Sequence, residues 1–327
     1  MIIPGRSGIA LGAVLLLVAC GGHGGTDPLP DPCIDQGICP ATHPSGRAVT
    51  AFNVTGTPFG VAVSDSGEVY VTKLLEVSVG HAKIPLSATI TASFPTGDVP
   101  TDVGFVPGLP KAYVTNQGAN NVGVINTTTN LQSNLLPLGT LPYRVLSTAG
   151  NRTYVTFGAS KLKVLNSTTD ALTDSIAVAG SANGLVLSPN GSTLYVSHTG
   201  GQVSVISTAS LAVIDSFAVG GTPQDIAISP DGLTLYVANE GVGVQRVDVA
   251  SKTVTGTIAV PAFAMRSTPD NVELWVASGE TVTVIDRAAF TAEPGIDVGG
   301  NARRIAFGRN GRMVLVANEA GYVSVIQ

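Results

Sequence analysis

The chain has 327 residues, 44% of them hydrophobic and 12% charged, which suits a large folded core and argues against a disordered chain. Lys and Arg number 17 against 22 Asp and Glu, so the net charge is −5 and no basic surface is available for a nucleic-acid backbone. We therefore expect no nucleic-acid partner.

The first nineteen residues have the character of a signal peptide. Arg6 precedes an apolar run from Ile9 to Ala19, which is too short to cross a bilayer core of about 30 Å as a helix. The sequence LVAC at 17–20 resembles the lipobox of bacterial lipoproteins. That resemblance implies cleavage after residue 19 and lipidation of Cys20, whose acyl chains would anchor the protein in a membrane. An ordinary secretory signal with an incidental cysteine is the alternative.

Residues 20–46 are rich in Gly and Pro and have no apolar periodicity, which is typical of a flexible tether. Cys33 and Cys39 lie in this segment, and in an exported protein such a pair most simply forms a disulfide. A metal site that adds His23 and His43 is the alternative, although the spacing matches no common zinc pattern.

A repeat of about 40 residues begins after the tether. An aromatic-Val pair, or its equivalent, recurs at intervals of 39 to 43 residues, a period typical of propeller blades with four strands each. The seven aligned positions are Tyr70, Tyr113, Tyr154, Tyr195, Tyr236, Trp275 and Leu315.

The fifth copy illustrates the four strands. Alternating apolar residues predict strands at 225–229, 234–238, 244–249 and 254–260, and the sequence SPDG at 229–232 predicts the first turn. No segment shows helical spacing, so we expect an all-β protein.

The last copy stops at Gln327, in its third strand. The sequence FNVTGTP at 52–58 has the form of FAVGGTP at 217–223, a fourth strand that leads into the next blade. Residues 47–56 should therefore pair with the three carboxyl-terminal strands, since closure removes unpaired edges. We predict that residues 47–327 form a seven-bladed β-propeller of four-stranded antiparallel blades.

The sequences YVTN at 113–116, YVAN at 236–239 and LVAN at 315–318, together with SPNG at 188–191, resemble the YVTN repeat family of β-propellers. The resemblance covers residues 47–327. It implies a propeller fold in a protein of the bacterial or archaeal envelope, but no single activity. With the lipobox and Gly21, it indicates a lipid-anchored protein of the bacterial cell envelope, at the outer membrane.

Loops before the first strands and after the second strands of a propeller share one face, around the mouth of the central channel, where sites are common. The candidate binding residues at this mouth are Asp102, Arg144, Asp225, Arg303 and Arg304. Guanidinium groups bind carboxylate or phosphate through paired hydrogen bonds. Alternatively, the arginines pair with the acidic residues around the ring. The Asn residues that end the YVTN-like sequences are most simply explained by hydrogen bonds to nearby backbone.

His198 and Glu240 are the candidate catalytic residues, because a histidine oriented by a carboxylate can act as a general base. The repeats resemble those of other seven-bladed propellers, among them lactone-hydrolysing and streptogramin-lyase-like proteins, and this resemblance implies that histidine and acidic groups near the channel could be catalytic. An ordinary loop histidine is the alternative. Haem, zinc-protease and phosphate-loop motifs are absent from the sequence, so we predict no cofactor and no metal.

These features favour a lipid-anchored binding module, which needs no catalytic residues. Its predicted partners are the membrane, through the anchor, and an envelope protein, a polymer or a small anionic ligand. We expect a monomer. A propeller hydrolase or lyase and a purely structural surface protein are the alternatives.

Overall fold

In the computed structural model, residues 43–44, 46–84, 90, 92–158, 160–308 and 311–327 are described. The predicted signal peptide, the predicted lipidation site Cys20 and the cysteine pair Cys33 and Cys39 lie outside these residues. The described part of the chain consists of β-strands and loops, and it contains no helix long and apolar enough to cross a membrane.

The strands of the first half are β1 Val49–Asn53, β2 Pro58–Val63, β3 Glu68–Lys73, β4 Ser78–Lys83, β5 Ala92–Pro95, β6 Pro100–Phe105, β7 Lys111–Asn116, β8 Asn121–Asn126, β9 Leu131–Leu136, β10 Pro142–Ser147, β11 Arg152–Phe157, β12 Lys161–Asn166 and β13 Leu172–Ala177. Those of the second half are β14 Ala182–Leu187, β15 Thr193–His198, β16 Gln202–Ser207, β17 Ala212–Ala218, β18 Thr222–Ile228, β19 Thr234–Glu240, β20 Gly243–Asp248, β21 Thr253–Ile258, β22 Ala264–Ser267, β23 Glu273–Asp286, β24 Thr291–Ala292, β25 Ile296–Phe307, β26 Val314–Asn318 and β27 Tyr322–Ile326.

Five sheets are blades of four consecutive antiparallel strands: β2–β5, β6–β9, β10–β13, β14–β17 and β18–β21. We number them blades 1 to 5. The remaining strands form one larger sheet that joins two blades. The first half of β23 pairs with β22 and its second half with β24 and β25, which gives blade 6. The second half of β25 pairs with β26 and starts blade 7. The predicted seven-bladed propeller is therefore confirmed.

The first strands of successive blades contact one another around a central channel. Contacts run from β2 to β6, β10, β14, β18, β22 and β25 in turn, and β25 contacts β2 again. The sequence SPDG predicts the outer turns correctly: in blade 5, Gly232 N–H donates to Ser229 C=O at 2.9 Å and has a φ of 73°, a conformation that Gly adopts without strain.

The amino-terminal strand closes the ring. β1 pairs with β27 in antiparallel register from Val49 opposite Ile326 to Asn53 opposite Tyr322. Phe52 is 3% exposed and packs in a core cluster with residues of blades 1 and 7, among them Val61 and Val323. The predicted fourth strand of blade 7 is thus confirmed.

The repeated tyrosines hold neighbouring blades together. Each ring is buried, and the hydroxyl groups of Tyr70 and Tyr113 donate to the side chains of Asn130 and Asp170, in the next blade. A tyrosine suits this place because its ring fills the core while its hydroxyl finds a partner at the interface.

Substitution of Phe52 by Ala tests the closure. The change removes a buried ring from the sheet that joins the two ends of the chain, so the free energy of unfolding should fall by about 3 kcal/mol or more. Urea denaturation measures the effect. Val49→Ala is the matched control, because Val49 lies on the same strand and is 40% exposed. Equal effects of the two substitutions would contradict the proposed importance of the closure.

Candidate functional site

The first strands carry β-bulges near the channel mouth. The register against the second strand shifts in six blades, at 58–61, 100–102, 142–145, 182–185, 223–225 and 302–305. A bulge places two residues opposite one and redirects their side chains. The bulged segments contain most of the side chains described below, including Arg144 and Arg304.

Hydroxyl groups of the second strands stabilise several bulges. Thr156 and Thr72 accept hydrogen bonds from the backbone N–H groups of Arg144 and Gly60, at 3.0 and 2.7 Å, and Ser197 accepts one from Gly184. A buried N–H without a partner costs free energy. The Thr or Ser of the YVT-like sequences therefore satisfies a donor that the bulge removes from the strand ladder.

The Asn residues of the repeat have a structural role. Asn239 accepts from Thr222 N–H at 2.7 Å and donates to Gly220 C=O at 2.8 Å. Asn318 makes the equivalent bonds with Asn301 and Gly299. These contacts tie the end of the second strand to the loop before the first strand, as the backbone explanation of the Asn residues predicts.

Strand register defines an equivalent inner position in every blade, next to the channel. In blades 1 to 7 it is occupied by Gly60, Asp102, Arg144, Gly184, Asp225, Ala264 and Arg304. Four of these seven residues are charged and three are small. At Gly184 an added Cβ would come within 2.6 Å of Asp225 Cα, so only glycine allows the close approach of blades 4 and 5.

Arg144 lies between two carboxylates. Its Nη2 donates to Asp225 Oδ1 at 3.2 Å, and its Nε is 3.5 Å from Asp102 Oδ2. Burial opposes its charge, but these carboxylates raise the pKa of Arg144 above the ordinary value. Because Arg144 belongs to blade 3 and Asp225 to blade 5, the pair meets across the channel.

The two carboxylates also bind the backbone of the following blade. Asp102 Oδ2 accepts from Val145 N–H at 3.0 Å, and Asp225 Oδ2 accepts from Met265 N–H at 3.1 Å. Burial opposes ionisation of Asp225, yet Arg144, Arg266 and Arg304 hold its pKa below the ordinary value. Both aspartates are therefore structural partners of the arginines.

Arg304 has no such partner. It is 2% exposed, and none of its three guanidinium nitrogens has a hydrogen-bond acceptor among the residues that the structure describes. Its nearest carboxylate oxygen, Asp225 Oδ2, is 3.9 Å from Nη1. Burial, together with the charge of Arg144, lowers the pKa of Arg304. The folded chain thus holds a buried cation that is only weakly compensated.

Three aromatic rings surround Arg304. Its Cζ atom lies 5.7 Å from the ring centre of Phe59, 5.2 Å from that of Tyr143 and 5.1 Å from that of Phe263. We call these three rings the aromatic cage. Such distances allow cation–π attraction, which stabilises the guanidinium but does not replace its hydrogen bonds.

Two further arginines lie beside this site. Arg303 pairs with Glu319 at 2.9 Å and lies over the aromatic ring of Phe263. Its pairing agrees with the alternative given above, in which the arginines pair with acidic residues around the propeller. Arg266 donates to Asp225 Oδ2 at 3.3 Å, and its side chain is 41% exposed. We call Asp102, Arg144, Asp225, Arg266 and Arg304 the channel cluster.

Arg266 and the aromatic cage do not appear among the sequence-predicted binding residues. Arg266 stands two residues after Ala264, the inner position of its blade, and period-two alternation along a strand could have indicated the same face. Phe59 and Phe263 come from blades 1 and 6, whose inner positions are small. Their approach to Arg304 depends on the closed ring and has no local signal.

The predicted pair of His198 and Glu240 does not have the arrangement of a general base. His198 is fully buried, and its Nε2 lies 2.8 Å from Ser204 Oγ. Burial lowers its pKa from 6.5 to about 4, so the imidazole is neutral at neutral pH. Glu240 accepts a hydrogen bond from Gln224 instead. Among the described contacts of His198 there is no orienting carboxylate.

An outer groove has no arginine among its lining residues. This groove, of about 580 Å³, lies beside the outer turns of blades 1 and 2, between Asp65 and Leu109. Within the described ranges, no group of three or more His, Cys, Asp or Glu could hold a metal ion.

Two comparisons with known proteins found matches, one to a family model and one to a solved structure. A family model described as "Choice-of-anchor I domain" matches residues 143–275, which indicates a module of the bacterial cell surface or envelope. The solved structure of hydrazine synthase from Kuenenia stuttgartiensis is similar with a TM-score of 0.75 and 17% sequence identity, over 85% of this chain and 97% of that chain. At this identity the likeness shows the fold alone. No curated protein matches the chain.

Substitution by Met should change the free energy of unfolding differently at Arg144 and at Arg304. Arg144→Met leaves two buried carboxylates with fewer partners and should lower the free energy of unfolding by about 3 kcal/mol. Arg304→Met removes a weakly compensated charge and should leave stability unchanged or raise it. Urea denaturation of both variants measures this contrast, and a larger loss in Arg304→Met would contradict the assignment.

The burial of His198 predicts a dependence of stability on pH. Its folded pKa is depressed, so the unfolded chain takes up a proton first as the pH falls below 6.5. Between about pH 7 and pH 5 this linkage should remove about 2 kcal/mol of stability. His198→Asn, which restores the residue found at Asn239 and Asn318, should abolish that part of the loss. Urea denaturation at both pH values tests it, and identical losses in both proteins would refute it.

Proposed function

We propose that the protein is a lipid-anchored binding module of the bacterial envelope that holds a small anionic ligand in the propeller channel. One observation carries this proposal: the guanidinium group of Arg304 is buried and lacks a hydrogen-bond acceptor among the described residues. A bound anion would supply that acceptor and compensate the charge. Binding of the ligand would then offset the cost of burying Arg304.

The residues of the channel cluster have different roles in this proposal. Arg304 is the principal ligand-binding group, and Arg144 offers Nη1, which also has no acceptor among the described residues. Asp102 and Asp225 orient Arg144 and reduce the repulsion between the arginines. Arg303 is 26% exposed and pairs with Glu319, so its charge is compensated and it does not bind the ligand directly.

The environment of His198 supports binding over hydrolysis. A general base has to reach the substrate and to be near its working pKa. His198 is instead fully buried with a depressed pKa. The binding proposal needs no such group.

The envelope location is supported by two independent features of the chain. The family match over residues 143–275 indicates a surface module, and the lipobox-like sequence ends at Cys20. The repeat sequences further support placement in the YVTN-type propellers. We propose that Cys20 carries the lipid and that residues 20–46 hold the propeller away from the membrane.

Calorimetry tests the channel site directly. Acetate, benzoate, terephthalate and inorganic phosphate are titrated into the purified protein at constant ionic strength, and at least one anion should bind. Arg304→Met should weaken that binding at least about tenfold, because a charge-assisted hydrogen bond is lost.

Arg246→Met is the matched control for this experiment. Arg246 also lies over an aromatic ring, that of Phe290 at 4.6 Å, but it belongs to the third strand of blade 5, away from the channel. Its substitution should leave binding unchanged. If none of the anions binds, or if Arg304→Met binds as tightly as the wild type, the proposed function is wrong.

Metabolic labelling with palmitate tests the anchor. The wild-type protein should incorporate the label and fractionate with membranes, because acylation at Cys20 provides several chains. Cys20→Ser should lose both properties while the propeller still folds. Label in the variant, or none in the wild type, would disprove lipidation at Cys20.

A further inference from the structure

The charges of the channel cluster do not balance. Three guanidinium groups, those of Arg144, Arg266 and Arg304, meet the carboxylates of Asp102 and Asp225. The adjacent Arg303 forms a neutral pair with Glu319. The five residues of the channel cluster therefore have a net formal charge of +1, and a ligand with a single negative charge would compensate it.

A second negative charge would be unfavourable at this place. Asp225 Oδ2 is already 3.9 Å from Arg304 Nη1, so a ligand bound to Arg304 comes close to an ionised carboxylate. With a dianion, the buried region would carry an uncompensated negative charge of its own. The site is thus suited to a monoanion.

The shape of the unpaired group favours a carboxylate. All three nitrogens of the Arg304 guanidinium are without acceptors among the described residues, so two adjacent N–H groups can bind both oxygens of one carboxylate. This parallel pairing is the preferred geometry between a guanidinium and a planar anion.

The surroundings favour a ligand with an apolar body. Phe59 and Phe263 meet edge to face with their centres 6.2 Å apart, and Tyr143 completes the cage around Arg304. Tyr143 and Phe263 are only half-buried, so apolar surface adjoins the charged group. The inner positions Gly60 and Ala264 add little side-chain volume beside the cage. An apolar body attached to the carboxylate would cover this surface.

We infer that the ligand is a small organic monocarboxylate with an apolar, preferably aromatic, body next to its charged group. This inference rests on the proposed function, since it names the ligand class of the same site. The carboxylate binds Arg304 and the free nitrogen of Arg144. The body packs against Tyr143 and Phe263.

Calorimetry with matched probes tests the ligand class. Benzoate is compared with benzamide, its neutral counterpart, with acetate, which lacks the ring, and with terephthalate, which adds a second charge. Benzoate should bind at least about tenfold more tightly than each of the others. Phe263→Ala should weaken the binding of benzoate and leave that of acetate unchanged, because only benzoate uses the ring.

Circular dichroism shows whether each variant is folded, and Phe263→Leu, which keeps a smaller apolar side chain, is used if the alanine variant does not fold. If acetate or terephthalate binds as tightly as benzoate and Arg304→Met still abolishes binding, the ligand class is wrong while the proposed function stands. If benzamide matches benzoate, recognition of charge is disproved. Failure of every anion to bind overturns both proposals.

Discussion

The antiparallel ladder between β1 and β27 is the interaction on which the arrangement of the molecule depends. It joins the two ends of the described propeller within one blade, so that β25 is held against β2 and the ring of first strands is complete. Because a propeller blade buries its faces against two neighbours, an open ring would expose apolar surface on blades 1 and 7 and leave an unpaired sheet edge. Closure also brings Arg304, near the carboxyl end, to Phe59, near the beginning.

The closed ring buries charged side chains in its centre, and their burial lowers the stability of the fold. Burial of ionised side chains is costly unless each finds a partner, and the channel cluster meets this requirement only in part. Arg144 is held by Asp225 and lies beside Asp102, whose carboxylates also accept backbone N–H groups. Arg304 has only aromatic rings and a distant carboxylate. Proteins keep such unfavourable groups chiefly where function requires them, which supports the proposal that Arg304 binds a ligand.

The repeated sequence motifs serve the scaffold that presents these groups. The Thr or Ser of the motif accepts a hydrogen bond at the bulge, the Asn fixes the loop before the first strand, and the Tyr binds the next blade. His198 replaces the Asn in blade 4 and is buried in the same way. The differences between the blades therefore lie in the bulges, where Asp102, Arg144, Asp225 and Arg304 take equivalent places. A constant scaffold with variable inner positions is suited to recognition of one ligand by several blades.

The strands, the turns, the number of blades and the closure could be predicted from the sequence, because these depend on local alternation, on Gly, Pro and Asp at turns, and on a period that can be counted along the chain. The sequence also predicted that Asp102, Arg144, Asp225, Arg303 and Arg304 lie at one mouth, because all five fall at the entry to a first strand in the repeat. Which of these residues are paired depends on contacts that form when the blades pack together. The contact of Arg144 with Asp225 crosses the channel, Arg303 turns to Glu319, and Arg304 is enclosed by rings from blades 1, 3 and 6. The contacts of Arg144 and Arg304 join residues far apart in the chain, and their distances depend on how the first strands of the seven blades converge, for which no local pattern carries a signal.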